Sequence, residues 1–193
     1  MNSRAFFLVT SLAVLWFCVF ATGAEPSQNT GPIRDTKEPQ VEMSSLRQQA
    51  LHGDARAEYL LGWSYMSGTG MSQNYEEAVK YLRQAAAQAL PDAEFALGYL
   101  YEQGKGVSRD YQKAVVYYTA AARQGHLTAE NNLGSMYEYE RGVCKNHRQA
   151  EHWYLMAAEH GYVTAQCNLA SLYFRGRGQR KYSQAAEWFR KAA

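Results

Sequence analysis

The feature of this sequence that most constrains its fold is a period of 36 residues. Several columns of residues keep that spacing, and most hold a single residue type: Ala57, Ala93, Ala129 and Ala165; Leu61, Leu97, Leu133 and Leu169; Tyr65, Tyr101, Tyr137 and Tyr173; Gly70, Gly106, Gly142 and Gly178; and Gly62, Gly98 and Gly134, followed by Ala170. A fixed period of about 20 to 50 residues is typical of solenoids, in which each unit packs only against its neighbours. The sequence therefore predicts a tandem array.

Each unit is predicted to form two helices. Ala57, Leu61 and Tyr65 follow helical spacing in the first helix, and Ala78 and Leu82 do so in the second. Stacked pairs of helices bury a continuous core, and about three repeats are enough for a stable array.

The connection between the two helices carries residues that end one helix and begin the next. Glycines such as Gly68 can adopt the left-handed conformation that ends a helix. Side-chain oxygens can accept the free N–H groups at the start of the second helix, which predicts N-caps at Asn74, Asp110 and Asn146.

Glycine inside a helix costs about 1 kcal/mol relative to alanine, so the column that contains Gly62 and Gly98 needs a structural reason. We expect an aromatic side chain of the second helix to pack over the bare backbone. The expected residues are Tyr81, Tyr117 and Trp153.

The N-terminal segment is typical of an export signal. After Arg4, residues 5–21 are almost wholly apolar, and small residues follow them. This predicts a signal peptide over residues 1–24, cleaved near Ala21 or Ala24, and a periplasmic or secreted protein. The alternative is a membrane anchor over residues 5–24, since a crossing helix needs roughly 17 to 25 residues. Residues 25–43 contain three of the four prolines and predict a flexible linker, with the ordered part over residues 44–193.

Charge and motifs argue against several functions. Lys plus Arg is 20 and Asp plus Glu is 18, so the near balance predicts no nucleic-acid partner and no membrane contact beyond the N-terminal segment. Cys144 and His147 have the spacing of half a metal site, but no second pair completes it. No nucleophile, metalloprotease or phosphate-loop motif occurs, so we predict no catalytic residues, no cofactor and no enzyme. A disulfide between Cys144 and Cys167 is not expected, because their predicted helical positions are about 10 Å apart.

Residues 93–125 carry the pattern that identifies a family resemblance. The matching residues are Ala93, Leu97, Gly98, Tyr101, Gly104, Gly106, Val107, Asp110, Tyr111, Lys113, Ala114, Ala121, Ala122 and Gly125. This pattern resembles the Sel-one-like repeat, a relative of the tetratricopeptide repeat, and the resemblance covers about residues 46–193. It implies an all-α fold, an α/α solenoid and right-handed superhelix of about four 36-residue helix-turn-helix repeats, near 57–92, 93–128, 129–164 and 165–193.

Two departures from the family pattern carry expectations of their own. Glu140 replaces the first loop glycine of the third repeat, so that turn is expected to be distorted. Some cysteine-rich relatives are associated with penicillin binding, but this chain lacks their regular cysteine pairs, which disfavours that activity.

The resemblance also implies an adaptor that binds a protein or peptide on the concave surface formed by its first helices. Counting from each Leu-Gly position, the predicted partner-binding residues are Tyr59, Trp63, Met66, Phe95, Tyr99, Glu102, Asn131 and Glu138. Clustered aromatics are typical of peptide-binding hot spots, and Glu102 and Glu138 are candidates to recognise a basic residue. The alternative is that the aromatics belong to the core.

Other roles remain open at this point. The C-terminal face near Trp188 and Phe189 is expected to be partly exposed, which allows self-association, for instance as a homodimer. An envelope-acting hydrolase is a third hypothesis, for which no residues are predicted. The column Glu58, Glu94 and Glu130 lies in the first turn of the first helices, where carboxylates stabilise the helix dipole, with an acidic contact strip as the alternative.

Overall fold

The computed structural model describes residues 43–176 and 181–193, and those residues form helices and short connections. The helices are α1 (Met43–Leu51), α2 (Ala55–Ser67), α3 (Tyr75–Ala87), α4 (Pro91–Gln103), α5 (Tyr111–Arg123), α6 (Leu127–Tyr139), α7 (His147–Glu159), α8 (Val163–Arg175) and α9 (Tyr182–Ala192). The predicted signal peptide and nearly all of the predicted linker lie outside the described residues, and α1 already begins at Met43.

The all-α class is as predicted. The described residues divide into two compact units, one over residues 43–150 and the other over the described part of residues 151–193, with the boundary inside α7. In the first unit each helix from α1 to α6 packs against the next, and in the second unit α8 packs against α9. None of the helices in residues 43–176 and 181–193 has the length and apolar character needed to cross a bilayer.

The predicted N-caps of the second helices are confirmed. Asn74, Asp110 and Asn146 each accept backbone N–H bonds from the first turn, at 3.0–3.2 Å. Each cap residue also donates its own N–H to a first-helix carbonyl at 2.9–3.0 Å, and the acceptors are Tyr65, Tyr101 and Tyr137. The same loop geometry therefore recurs in three successive repeats.

The turn at Glu140 is not distorted, which corrects the sequence-based expectation. Gly68 and Gly104 end their helices in the left-handed region with φ values of 78° and 70°, and Glu140 does the same at φ 58°. The loop thus keeps its shape in the third repeat, and the residue with a side chain carries the conformational strain.

Gly62 and Gly98 are each covered by a side chain of the second helix, but not by the expected residues, and at Gly62 the side chain is a leucine and not an aromatic residue. A Cβ placed on Gly98 would lie 2.6 Å from Cδ1 of Tyr118, and one on Gly62 would lie 2.6 Å from Cγ of Leu82. The expected residues, Tyr81 and Tyr117, are one position earlier, which is a rotation of about 100° around the helix. They stack instead on the tyrosine column of the first helices, Tyr65 with Tyr81 at 5.8 Å and Tyr101 with Tyr117 at 5.6 Å.

The second loop glycine of the second and third repeats packs against the repeat before it. A Cβ on Gly106 would collide with the backbone carbonyl of Tyr75, the first residue of α3. A Cβ on Gly142 would collide in the same way with the carbonyl of Tyr111, the first residue of α5. Loop 140–146 therefore lies beside loop 104–110, and these loops share one edge of the first unit.

Candidate functional site

The position two residues after the repeat leucine is partly exposed in the first helices, and it includes the predicted contact residues Trp63 and Tyr99. Trp63, Tyr99, Ser135 and Ser171 are all half-buried. Within the first unit this column changes from large aromatic rings to a small hydroxyl group. The aromatic part, Trp63 and Tyr99, is the portion able to contribute large apolar contacts to a partner.

Tyr59 and Asn131, two of the residues predicted two positions before a repeat leucine, lie inside the fold, which corrects their sequence-based assignment. Tyr59 is only 4% exposed and belongs to the core cluster with Leu82 and Leu97, and Asn131 is 7% exposed. Neither residue offers a partner more than a small part of its surface. The physical reason is that α2 buries Ala57, Glu58 and Tyr59 in succession, so this helix has no simple polar face.

Phe95 is half-buried, and its ring is occupied by intramolecular contacts. It stacks on His126 with a centroid distance of 4.5 Å and is tilted against Tyr118 at 5.8 Å. His126 caps α6 by accepting the N–H of Ala129 on Nδ1 at 3.2 Å, and its Nε2 lies 3.6 Å from Asp92. Burial lowers the pKa of His126, which favours the neutral ring that this cap needs.

The two glutamates predicted to recognise a basic partner residue are committed within the fold. Glu102 accepts a hydrogen bond from the Tyr118 hydroxyl at 2.8 Å and pairs with Arg141 at 3.4 Å. Burial is the largest factor that raises the pKa of Tyr118 well above its usual range, so this phenol stays a donor. Glu138 is 6% exposed, and its burial corrects its assignment as a contact residue. Met66 is half-buried against the core cluster that contains Tyr59.

Lys105, which the sequence did not single out, lies beside the surface column. Its Nζ is 3.4 Å from the Tyr99 hydroxyl and 5.5 Å from the centre of that ring. The same Nζ also lies over the ring of Tyr75, 5.4 Å from its centre. Burial tends to lower the pKa of Lys105, but the phenols of Tyr99 and Tyr75 raise it further, so the net shift is upward. The only signal for Lys105 in the sequence is a basic residue between two loop glycines.

The acidic column at the start of the first helices is buried rather than a contact strip. Glu58 accepts a hydrogen bond from Gln88 at 2.9 Å, and Glu94 accepts one from Gln124 at 2.8 Å. Each glutamine follows the second helix of the same repeat, so the bond ties the two ends of a repeat together. Burial raises the pKa of Glu94, which outweighs the lowering by the bond from Gln124.

In the second unit, the expected exposure of Phe189 is not found, because that ring is buried. Trp188 is half-buried with Nζ of Lys191 4.0 Å above its ring. The exposed aromatic surface is instead formed by Phe174 and Tyr182, at 42% and 48% exposure, whose rings meet edge to face at 5.6 Å.

The described residues give little support to a catalytic function. Within residues 43–176 and 181–193, no three His, Cys, Asp or Glu side chains are grouped as metal ligands. Cys144 is exposed and is not part of a disulfide. The absence of enzymatic activity nevertheless stays a prediction.

Comparison with known protein families identifies the type of these repeats. The Sel1 repeat model matches residues 55–90, 91–126, 127–162 and 163–193, each match starting two residues before the predicted repeat. The comparison with curated proteins gave no significant match.

Three solved structures illustrate the similarity. A protective antigen of uropathogenic Escherichia coli strains that displays an SLR fold is 36% identical, with a TM-score of 0.75 over 78% of this chain and 32% of that one. A Sel1 repeat protein from Oxalobacter formigenes is 36% identical, with a TM-score of 0.73 over 78% of this chain and 60% of that one. Cysteine rich protein B of Helicobacter pylori is 26% identical, with a TM-score of 0.52 over 66% of this chain and 97% of that one. The chain thus spans less than two thirds of the length of the first two proteins.

Proposed function

Because the chain belongs to the Sel1 repeat family, we propose that it is an exported adaptor that binds a protein or peptide on the surface of its first helices. Sel1 repeat proteins are generally protein–protein interaction adaptors and are generally non-catalytic. The proposal for this chain adds a location, the half-buried residues Trp63, Met66 and Tyr99 with Phe95 at their edge.

The observation that carries the proposal is the exposure of one aromatic column beside leucine columns that are fully buried. Leu61 and Leu97 are inaccessible, whereas Trp63 and Tyr99, two residues further along the same helices, remain partly exposed. Partly exposed tryptophan and tyrosine rings are the residues that contribute most energy in protein interfaces. An extended or helical peptide lying across α2 and α4 would contact both rings.

Export is the second part of the proposal and rests on the sequence alone. The apolar segment over residues 5–21 and the small residues after it support a cleaved signal peptide. N-terminal sequencing of the protein isolated from its host tests this. A chain that begins after Ala21 or Ala24 and is recovered outside the cytoplasm is expected, whereas an intact Met1 in a membrane fraction would identify the segment as an anchor.

The test of the binding site is a crosslinking pull-down from the native host followed by mass spectrometry. It compares the wild-type chain with a Trp63→Ala/Tyr99→Ala variant and a Tyr81→Ala/Tyr117→Ala variant. The second pair are also half-buried aromatics, but they lie on second helices, so they control for the general loss of aromatic surface. We expect a partner that is retained by the control variant and lost by the first variant, with the folded state of both checked by circular dichroism.

Two results would contradict the proposed site. If both variants capture the same partner, the partner binds another face. If Trp63→Ala/Tyr99→Ala unfolds the protein to the same extent as substitutions at Leu61, these rings belong to the core. In either case the fold assignment is unaffected.

A second candidate, self-association, is favoured by the exposed pair Phe174 and Tyr182 in the second unit. Paired aromatic rings exposed in this way are typical of protein contacts. Sedimentation equilibrium of the full chain and of Phe174→Ser separates the cases. A dimer that the substitution converts to a monomer would support self-association, and a wild type that stays monomeric at high concentration would remove it.

A further inference from the structure

Lys105 is a half-buried cation beside the predicted binding surface that has no carboxylate partner among the described residues. Among the described residues, Arg141 pairs with Glu102, Lys113 with Asp110 and Arg56 with Asp92. Lys105 pairs with no carboxylate in that part of the chain and contacts two tyrosines instead. Its side chain is half-buried, so its position is held by packing while its charge is not neutralised.

The chemistry of this cluster suits an anion with two oxygens. An ammonium group has three donor positions, and only one is directed at the Tyr99 hydroxyl. The Tyr99 hydroxyl accepts from the ammonium group and can donate its own proton to a third group. A carboxylate beside Lys105 would thus receive an ion-pair bond and a phenolic hydrogen bond, and charge-assisted bonds of this kind are short and strong.

The loop edge around Lys105 also carries an excess of positive charge. Loops 104–110 and 140–146 contain four cations, Lys105, Arg109, Arg141 and Lys145, and two carboxylates, Asp110 and Glu140. Asp110 is engaged as a helix cap, and Arg141 is paired with Glu102. Because Gly142 packs on Tyr111 next to loop 104–110, the unpaired cations of both loops lie along one edge. Such an edge favours a partner with several negative charges and disfavours a basic one.

We infer that Lys105, with the hydroxyl of Tyr99 beside it, binds a side-chain carboxylate of an acidic partner segment, one rich in Asp and Glu. This rests on the proposed function, because Tyr99 belongs to both the aromatic column and the Lys105 cluster. It reverses the sequence-based expectation that glutamates on this surface recognise a basic partner residue. The apolar part of the partner segment contacts Trp63 and Tyr99, and its acidic part extends along the loop edge.

The test uses two random peptide libraries of identical design as probes for the full chain. One library admits Asp and Glu at every position, and the other has Asn and Gln in their place. Each is made with a free and with an amidated C-terminus. We expect enrichment from the acidic library, independent of amidation, with binding that weakens as salt is added.

The decisive variant is Lys105→Met, which keeps an unbranched apolar side chain between the two rings and removes the charge. It is expected to weaken binding of the selected acidic peptides about tenfold or more. Lys80→Met serves as the matched control, because Lys80 is an exposed lysine of α3 that also lies over a tyrosine ring and is paired with Glu77, and it is expected to weaken binding by less than about threefold. Trp63→Ala should abolish binding of every selected peptide.

The outcomes separate this inference from the proposed function. Equal enrichment from both libraries, lost in Trp63→Ala but unchanged in Lys105→Met, would overturn the acidic-partner inference and leave the adaptor surface standing. Dependence on a free C-terminus with no preference for Asp and Glu would show that the carboxylate is terminal, and would overturn the side-chain form. Absence of enrichment from either library would count against both.

Discussion

Loops 104–110 and 140–146 occupy the same place in successive repeats, but the cations at their second positions, Lys105 and Arg141, have different surroundings. Both begin with a left-handed residue, both pack a glycine on the preceding repeat, and both end in a capped helix. Arg141 is neutralised by Glu102 of the preceding repeat, whereas Lys105 lies between Tyr75 and Tyr99. The comparison teaches that the repeat fixes the backbone of each loop, while the pairing of side chains between repeats decides which loop is available to a partner.

The largest expected effect tests whether the two loops are structurally equivalent. Gly106→Ala and Gly142→Ala should each lower the free energy of unfolding by on the order of 2–4 kcal/mol, because the alanine backbone must stay in the left-handed region and the new Cβ collides with backbone atoms. Gly125→Ala is the control, since Gly125 has φ +78° but nothing within 4 Å of an added Cβ, and about 1 kcal/mol is expected. Urea unfolding followed by circular dichroism measures all three. Equal losses in the three variants would show that the loops do not pack on the preceding repeat.

The second effect concerns the group that holds Glu102 in place for Arg141. Tyr118→Phe removes a buried hydroxyl that donates to Glu102 and should destabilise the protein by about 2 kcal/mol. Tyr117→Phe, one residue earlier and half-buried, should change the free energy of unfolding by less than about 0.5 kcal/mol. If the two variants are equally stable, Glu102 is positioned by Arg141 alone and the contrast between the loops has another origin.

The third effect concerns the residue that begins loop 140–146. Glu140→Gly should stabilise the protein by about 1 kcal/mol, because relief of the left-handed strain outweighs the added freedom of the unfolded chain. The reciprocal variant Gly104→Ala should destabilise it by about 1–2 kcal/mol. Thermal unfolding measured on both variants tests the pair. A loss of stability in Glu140→Gly would mean that the glutamate side chain makes a compensating contact.

The smallest effect is a difference in pH dependence between the two caps. The pKa of Asp110 is lowered, first of all by the hydrogen bond from the Lys113 N–H, whereas Asn146 at the equivalent position does not titrate. A lowered pKa in the folded state contributes stability above pH 3.8, and this contribution is lost as the pH falls through the folded-state pKa. Asp110→Asn should therefore remove part of the acid sensitivity, and Asn146→Asp should add to it. Urea midpoints at pH 7 and pH 3 provide the measurement, and identical pH dependence in all three proteins would refute the assignment.

Much of the fold was predictable because its determinants are local and repeated. The leucine column, the caps at Asn74 and Asp110 and the glycine at 68 act within a few residues of themselves, and the same chemistry occurs in each repeat. Agreement between repeats makes such features easy to recognise in a single sequence.

The orientation of each helix about its own axis, which decides the residues that it buries, was less predictable. The first helices bury residues on several sides, as α2 does with Ala57, Glu58 and Tyr59, so hydrophobic periodicity does not identify one exposed face. This is why Tyr59 was assigned to the surface. The second helices bury a narrower stripe, but an error of one residue was enough to exchange the roles of Tyr117 and Tyr118.

The Lys105 cluster could not be predicted, because it depends on residues 30 positions apart that occur together at one junction between repeats. Thr69 stands at the equivalent position one repeat earlier, and Ser135 replaces Tyr99 one repeat later. A feature that arises where two repeats meet, and that the period does not copy, leaves no pattern in a single sequence.

The contact of Gly106 with Tyr75 has a consequence for how such a chain can change its length during evolution. The glycine and the carbonyl it meets lie in different repeats, and the same pair recurs as Gly142 with Tyr111. A genetic duplication of 36 residues copies a glycine together with the carbonyl that receives the next one, so the added segment arrives with both halves of its junctions. A duplication of another length would separate the partners, so lengthening by whole periods is the route that preserves the packing.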